Sequence, residues 1–237
     1  MISKKKVTIS WSDGKDSAFA LYKVLASGEF DVVNLHTVID RDSKRVGLHG
    51  VREALIEKQA EHLGLPLEKI YLPASDDHEV YKSTMQKFYG ACSRDRLDGV
   101  IFGDIFLEDL REFRIALLKP SHLTAAFPLW SIHSKILLTD FIDLGFKTTI
   151  CAADANFFSS LELNLIDRKF LTTLPQTVDP CGENGEFHTF VFDGPIFKEP
   201  VPVTKGEIVK KTYAYQRKEP NGEIKKLESS FWFQDLF

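Results

Sequence analysis

The chain has 237 residues, of which 43% are hydrophobic and 27% charged, and a formal net charge of −4 at pH 7. This length and composition are typical of a globular protein with one large domain, or a main domain and a smaller one. The acidic balance argues against a dedicated nucleic-acid binder, because such domains are usually basic. Three cysteines without Cys-x-x-Cys spacing indicate neither a disulfide framework nor a cysteine-rich zinc site. We find no signal-peptide or membrane-span pattern and expect a cytoplasmic protein with no membrane partner.

Strands and helices are predicted to alternate from residue 7 to about residue 150. The predicted strands cover residues 7–9, 32–38, 70–72, 99–103, 127–130 and 148–153. The first predicted helix follows residue 17. The others cover residues 53–63, 79–89, 107–117 and 135–144. Gly64 ends the second helix, and the third extends toward residue 96. Alternation without hairpin signals favours a Rossmann-like α/β fold, a parallel sheet with helices on both faces. Ligands bind such a sheet at the carboxyl ends of its strands.

The pattern changes after residue 150. Helical stretches around residues 157–172 lead to a polar loop at 179–188. The remaining β-like runs cover residues 189–192, 207–215 and 231–233, with a turn signal at 220–222. We therefore predict a main domain over residues 1–150 and a smaller C-terminal α+β lobe over residues 151–237, which would hold the substrate.

The segment between the first strand and the first helix is rich in groups that bind anions. It reads Ser-Trp-Ser-Asp-Gly-Lys-Asp-Ser over residues 10–17, and free backbone N–H groups and the helix dipole meet at such a junction. Gly14 permits close approach of a ligand, Lys15 adds positive charge, and hydroxyl donors stand at Ser10, Ser12 and Ser17. Asp16 among these donors suits a Mg²⁺ ion between it and a phosphate. The alternative is a polar turn before a surface helix.

Asp13 stands directly before Gly14, where the loop of the PP-loop ATP pyrophosphatases, which residues 10–17 resemble, usually has a glycine. Aspartate tolerates a left-handed backbone better than most residues, so the turn is expected to survive. If the carboxylate lay beside phosphate, its charge would weaken anion binding.

Further candidates stand at the predicted ends of two other strands. Gly103 and Asp104 follow a fully apolar strand, where Asp104 would hold a metal or a substrate amine, or simply begin the next helix. Arg111 or Arg114 in that helix would contact phosphate, although such charges usually form a solvated face. Asp40 and His49 follow the second strand and are therefore expected on the side of the sheet that binds the nucleotide. Asp40 would contact ribose or adenine. His49 would lie near the nucleotide, or it is an ordinary polar residue.

The loop over residues 179–188 contains two glycines, an asparagine, a histidine and several acids. Glu183 and Glu186 would bind an amine or a metal, or act as general base. Cys181 is better explained as a small buried residue than as a nucleophile, because nothing lowers its pKa. We predict that this loop folds over the carboxyl ends of the parallel strands and faces residues 10–17.

Several segments together resemble a known family. The loop at residues 10–17 is similar to the S-x-G-G-x-D-S loop of PP-loop ATP pyrophosphatases, which belong to the adenine nucleotide alpha-hydrolase-like proteins. Together with LHGVREALIEKQAEHLGLPL, FGDIFLEDLREFR, FPLW and VDPCGENGEFHTFVFDGPIF, it resembles the diphthine–ammonia ligase family from about residue 7 to residue 200. This resemblance implies a PP-loop domain with a smaller lobe. It also implies cleavage of ATP to AMP and pyrophosphate, coupled to amidation of a carboxylate by ammonia; in eukaryotes and archaea that carboxylate belongs to diphthine on translation elongation factor two.

We assign roles within that chemistry. Lys15 and the loop amides would stabilise charge on the phosphates, and Asp16 would hold Mg²⁺. The catalytic set is completed by Asp104, Glu183 or Glu186, which would guide or deprotonate the amine. The residues predicted to bind the nucleotide are Ser10, Ser12, Gly14, Lys15, Asp16, Ser17, Asp40, His49 and Gly103.

Two departures from the family pattern bear on the acceptor. Ser131, Ile132 and His133 stand where the family usually has a Gly-Arg-Asp-like run, and Leu163-Asn164 stands near a usual Gly-Arg pair. Lost arginines remove planar contacts to anions, so the acceptor is expected to be either diphthine, as the resemblance implies, or another carboxylate. The alternatives are a tRNA-modifying PP-loop enzyme, which the acidic balance disfavours, and an ATP- or AMP-binding module without catalysis. A homodimer is compatible with each.

Overall fold

The computed structural model describes residues 3–47, 49–73, 78–161, 165–218 and 224–237. The strands within these ranges are β1 (Lys5–Ser10), β2 (Phe30–Asp40), β3 (Arg45–Val46), β4 (Leu67–Leu72), β5 (Gly99–Ile101), β6 (Thr124–Ala126), β7 (Lys147–Asp154), β8 (Phe187–Asp193), β9 (Lys205–Lys218) and β10 (Ile224–Leu236). The helices are α1 (Lys15–Ser27), α2 (Glu53–Leu63), α3 (His78–Arg94), α4 (Glu108–Leu118), α5 (Ser134–Asp143) and α6 (Arg168–Thr173), with a 3₁₀ turn at Lys119–Ser121. The predicted turn at 220–222 and the departure at 163–164 lie outside the described residues.

Five strands of the first sheet are parallel, in the order β4, β2, β1, β5, β6, and β3 pairs antiparallel with the end of β2. The chain builds outward from β1 to β2 and β4. Helix α3 then precedes β5 on the opposite side of β1. The strand order therefore reverses between β1 and β5, and a crevice opens at the carboxyl ends of these two strands.

Helices cover both faces of this sheet, as the alternation predicts. The apolar residues of α1 and α2 pack on one face with the core residues Val7 and Ile9 of β1. On the other face, α3 and α4 pack around Val100 and Phe102. Helix α2 ends at Gly64, whose φ of 71° is left-handed, so the predicted stop signal is confirmed. The Rossmann-like α/β class follows from these two layers of helices.

The second sheet is antiparallel, in the order β8, β7, β10, β9. Its inner residues, among them Cys151 and Phe190, join the same apolar core as α1. This sheet and α6 are the elements of the predicted α+β lobe, whose existence as a separate unit stays a prediction. The sequence predicts that β7 continues the parallel sheet, but β7 belongs to this antiparallel sheet. It begins before the predicted domain boundary at residue 150 and ends after it. The division into 1–150 and 151–237 therefore stays a prediction, and sheet membership assigns β7 whole to the second unit.

Two predicted elements differ from the structure. Residues 127–130 were predicted as a strand but form a turn, and the strand lies just before them in β6. The aromatic side chains of this turn, Phe127 and Trp130, pack against Arg111 of α4. Aromatic residues are typical of strands, which is why the sequence predicts a strand here. The helix expected over 157–172 is reduced to α6 in the described residues, beginning where the Asp167 side chain accepts the Phe170 N–H at 2.8 Å. Among the described residues, no helix is long and apolar enough to span a membrane.

Candidate active site

The crevice between β1 and β5 holds a cavity of about 160 Å³. Its lining combines hydroxyls, carboxylates and one guanidinium: Ser10, Ser12, Asp16, Ser17, Phe102, Gly103, Asp104, Leu107, Leu110, Arg114 and Glu183. The first four residues come from the 10–17 loop, the next seven from the end of β5, from α4 and from the 179–188 loop. Seven of the predicted site residues thus meet where the strand order reverses: Ser10, Ser12, Asp16, Ser17, Gly103, Asp104 and Glu183.

Glycine is required where β5 approaches the start of α1. A Cβ atom at Gly103 would lie 2.8 Å from the carbonyl carbon of Asp16 and 3.0 Å from the Ser17 nitrogen. These neighbours are backbone atoms, which cannot rotate away. Gly14 begins α1 in equally close quarters, because a Cβ there would lie 3.1 Å from the Thr189 carbonyl oxygen. Gly103 therefore permits the close approach of the end of β5 to α1 at the crevice, and Gly14 permits that of α1 to β8.

Three carboxylates converge on the crevice. Glu183 reaches it from the 179–188 loop and accepts the Ile105 N–H at 3.0 Å, so the predicted placement of this loop over the strand ends is confirmed. Burial, with Asp16 nearby, raises the pKa of Glu183 to about 7. Burial also raises the pKa of Asp104, while Arg114 opposes that shift. Glu183 is thus balanced between its two protonation states near neutral pH.

Arg114 is the cation of the crevice. Its Nη1 donates to the Tyr81 hydroxyl at 3.2 Å, and its Nε lies 3.7 Å from Asp104 Oδ2. The Nε proton and the buried Asp16 Oδ1 both lack a hydrogen-bond partner among the described residues. An unpaired guanidinium donor suits a phosphate oxygen, and an unpaired carboxylate oxygen suits a metal ion. Of the two arginines considered from sequence, Arg111 instead lies over the Trp130 ring at 4.7 Å.

Lys15 differs from its predicted place. Its ammonium is buried beneath the 179–188 loop and does not line the crevice. It donates to Asp16 Oδ2 at 2.8 Å and to the Cys181 carbonyl. Burial opposes its charge, but Asp16 and the neighbouring acids together keep the pKa of Lys15 above its ordinary value. In this structure Lys15 ties α1 to the loop, and its predicted contact with phosphate would need the side chain to turn.

Glu186 also differs from its predicted role. Its carboxylate is buried inside the 179–188 loop, where it accepts the Asp179 N–H at 2.9 Å and the Asn184 N–H at 3.0 Å. It does not line the crevice. Because a buried carboxylate is stable only with such partners, Glu186 organises the loop that presents Glu183.

Asp13 does adopt the expected left-handed backbone, with φ of 68°. Its carboxylate, however, points away from the crevice and contacts His49 Nδ1 at 2.6 Å. The expected repulsion between Asp13 and phosphate therefore has no basis in this geometry. His49 lies behind the 10–17 loop and is absent from the crevice lining, so its predicted place beside the nucleotide stays a prediction.

Asp40 belongs to a different cavity. It accepts the Ser43 N–H at 2.6 Å and lines a space of about 620 Å³ against the aromatic residues Phe231 and Phe233 of β10. Asp40 is not among the residues that line the crevice, so its predicted role toward ribose or adenine stays untested. A third cavity, of about 550 Å³, is lined by Phe106 and Asn184, the chain neighbours of the crevice residues Leu107 and Glu183. Its lining also includes Ser131, Ile132 and His133, where the chain departs from the family pattern.

Two supporting residues escaped the sequence reasoning. The buried Gln59 amide donates to the carbonyls of Asp13 and Val191 at 3.0 and 2.6 Å, and so braces the 10–17 loop. Thr189 accepts the Lys15 N–H at 3.0 Å. Gln59 lies within a charged run that reads as a solvated helix face. Gln59 lies three residues after Ile56, on the apolar stripe of α2, and this spacing could have predicted that its side chain is buried.

The fold and the crevice define an α/β protein of the nucleotide-binding class. Family models match the chain in order: the diphthamide synthase N-terminal domain over residues 5–116 and the diphthamide synthase C-terminal domain over residues 133–221. The chain therefore belongs to the diphthamide synthase family.

Curated relatives agree with this family. The chain is 26% identical over 233 residues to a diphthine–ammonia ligase of Homo sapiens, covering 84% of this chain and 82% of the relative. It is 27% identical over 217 residues to that of Schizosaccharomyces pombe, covering 84% of this chain but only 36% of the relative. A solved U34-tRNA thiolase NcsA from Methanococcus maripaludis, with its 4Fe-4S cluster, matches 60% of this chain and 59% of its own at 15% identity and a TM-score of 0.38. That likeness is too distant to bear on function.

Proposed function

We propose that this protein is an ATP-dependent, AMP-forming ligase that activates a carboxylate and converts it to an amide with ammonia. The observation that carries the proposal is the crevice itself, where three serine hydroxyls, Arg114 and three carboxylates converge on one small cavity. Hydroxyls and a guanidinium suit phosphate, and the carboxylates suit a metal ion and an amine. The names of the curated relatives support the same reaction.

The chemistry proceeds in two balanced steps. A carboxylate oxygen of the acceptor attacks the α-phosphorus of ATP, and the bond to the bridging oxygen breaks, so that pyrophosphate leaves and an acyl-adenylate forms. Ammonia nitrogen then attacks the acyl carbon, AMP leaves with the bonding electrons, and the nitrogen gives up a proton. Ser10, Ser12 and Arg114 would hold the phosphates against the start of α1.

Glu183 would take the proton from the attacking amine. A general base works best when its pKa is close to the working pH, and burial beside Asp16 raises the pKa of Glu183 to about 7. Asp104, which lines the same cavity, would orient the amine. Lys15 reaches phosphate only if it leaves its partners Asp16 and Cys181.

The residues also fit a Mg²⁺ ion. Asp16 has a buried oxygen without a partner, and Asp104 and Glu183 line the same cavity. Oxygen ligands of this kind suit Mg²⁺, which supplies positive charge to the phosphates when bound.

The acceptor is proposed as diphthine on elongation factor two or as another carboxylate. The 550 Å³ cavity beside the crevice supports the second, because no arginine or lysine is found among the described residues that line it. Its lining also includes the carboxylate of Asp179, and a lining with one acid and no arginine or lysine disfavours an acceptor with a second anionic group at that place. We propose a cytoplasmic location and leave a homodimer to be tested by light scattering.

Incubation of the protein with ATP, ammonia and a panel of carboxylates, with AMP and pyrophosphate measured, tests this proposal. One acceptor should yield both products together with the amide. Glu183→Gln should lower amide formation at least about 100-fold with ATP affinity nearly unchanged. Glu112→Gln, an exposed acid on α4, is the matched control and should retain full activity.

The alternatives predict other outcomes. A nucleotide-binding module would bind ATP and release no pyrophosphate with any acceptor. A tRNA-thiolating enzyme would need a reactive thiol, yet Cys92, Cys151 and Cys181 are all buried, and burial raises the pKa of each of these thiols.

A further inference from the structure

A second cluster of metal-ligating groups lies behind the 10–17 loop, away from the crevice. It consists of Asp13, His49 and Cys151, whose ligand atoms all lie within 4.8 Å of one another. Asp13 and Cys151 are fully buried, and His49 is mostly buried. None of the three lines the crevice, and the proposed reaction uses none of them.

One oxygen of this cluster lacks a partner. Asp13 Oδ1 contacts His49 Nδ1 at 2.6 Å, but Asp13 Oδ2 has no hydrogen-bond partner although it is buried. An unpaired carboxylate oxygen in an apolar surrounding is costly. A cation bound to Asp13 Oδ2 would remove this cost. The unpaired oxygen is thus a second observation in favour of a metal ion, separate from the clustering of the three side chains.

The donor set matches one class of ion. An imidazole nitrogen, a thiolate and a carboxylate oxygen are the ligands of Zn²⁺ and of related divalent transition metals, and hard ions such as Mg²⁺ avoid sulfur. Bond lengths of about 2.0–2.3 Å place tetrahedral ligands up to about 3.8 Å apart. Small side-chain rotations would bring the cluster from 4.8 Å to this spacing.

Charge balance is also satisfied. Asp13 and a Cys151 thiolate carry two negative charges, which one divalent cation neutralises, so the buried cluster stays uncharged. Binding breaks the contact between Asp13 and His49, and the proton held in that contact goes to solvent or stays on the ring nitrogen of His49 that does not bind the metal. The Cys151 thiol proton is released to solvent. His188, whose ring centre lies 4.8 Å from that of His49, is a candidate for the fourth position.

We propose that Asp13, His49 and Cys151 form a buried structural site for one divalent transition-metal ion of the zinc class. The site ties β7 to the backbone of the 10–17 loop at Asp13, the residue that replaces a glycine in this type of loop. The ion would hold the loop in its left-handed turn and would take no part in the reaction. The proposal is independent of the proposed ligase activity.

Cobalt binding to the metal-free protein tests the site. After dialysis against a chelator, Co²⁺ should bind one per chain and produce a thiolate-to-cobalt charge-transfer band in the near ultraviolet. Cys151→Ser should abolish the band and weaken Co²⁺ binding more than about 100-fold, because even outer contacts of a metal site change affinity 10- to 100-fold. Cys92→Ser, which alters a buried cysteine in the opposite core, should bind as the wild type does.

Thermal unfolding supplies a second readout. Zn²⁺ should raise the midpoint of the wild type and of Cys92→Ser, but not that of His49→Gln, which also serves if Cys151→Ser fails to fold. Absence of the charge-transfer band in folded wild-type protein would overturn the proposal. Stoichiometric binding that persists in both Cys151→Ser and His49→Gln would overturn it as well, since the ion would then bind elsewhere.

Discussion

The buried histidine between β1 and α3 makes the stability of the protein depend on pH. His36 is 1% exposed, its Nδ1 lies 2.9 Å from the Thr8 hydroxyl, and its Nε2 lies 3.3 Å from that of Tyr89. Burial, with a smaller contribution from the charge of Arg114, lowers the pKa of His36 to about 3. The ring is therefore neutral throughout the physiological range, although it is charged below about pH 6.5 in the unfolded chain.

The sign and size of the effect follow from these two values. The folded pKa is depressed, so the unfolded state binds more protons as the pH falls below about 6.5, and stability is lost from there downward until about pH 3. Between pH 7.5 and pH 5.0, His36 alone should remove about 2 kcal/mol from the free energy of unfolding. This value is the interval of about 1.5 pH units between the unfolded pKa and pH 5.0, multiplied by about 1.36 kcal/mol per unit.

Urea unfolding at both pH values measures this loss. His36→Gln is the perturbation, because glutamine keeps hydrogen-bonding capacity but cannot titrate. The wild type should lose about 2 kcal/mol more than His36→Gln between pH 7.5 and pH 5.0, since all other titrating groups are common to both proteins. His122→Asn, at an exposed position, should retain the wild-type dependence. Equal losses in the wild type and His36→Gln would refute the reasoning.

Two further substitutions separate the crevice from the loop above it. Gly103→Ala should lower ATP affinity at least tenfold in calorimetry, because the added Cβ would clash with the Asp16 backbone. Unchanged ATP affinity would contradict the close approach. Gly47→Ala, which adds a Cβ where there is open space, is the control. Glu186→Gln should lower the free energy of unfolding by about 1–3 kcal/mol while ATP affinity stays unchanged, because it weakens bonds inside the loop. A loss of ATP affinity without a loss of stability would instead place Glu186 in the nucleotide site.

The layered fold was predictable because its patterns are local. The apolar strands β1 and β5 and the amphipathic α2 are visible in sequence, and Gly64 marks a helix end directly. The pairing of β7 was not predictable in the same way, since a buried apolar strand reads alike in parallel and antiparallel sheets. Strand β6, with the residues Thr-Ala-Ala, has little β pattern of its own and depends on its neighbour β5.

The candidate site was predictable where backbone position decides it. Asp104 follows β5 and Asp16 lies in the first turn of α1, so the backbone places both residues at the crevice. Glu183 and Glu186 lie three residues apart in one loop, yet one lines the cavity and the other is buried inside the loop. Sequence shows the residue types but not the direction of such side chains. Lys15 illustrates the same limit, because its long chain reaches Cys181 rather than the crevice.

A crystal structure with Mg²⁺ and an ATP analogue that cannot be cleaved between the α and β phosphates tests the central claim most directly. We predict the phosphates in the crevice between β1 and β5, in contact with Ser12 and Arg114, and a metal ion on Asp16. The acyl-transfer chemistry proposed for Glu183 requires the α-phosphate within reach of that carboxylate. Phosphates bound instead in the 620 Å³ cavity beside Phe231 and Phe233, with the crevice free of nucleotide, would contradict the account.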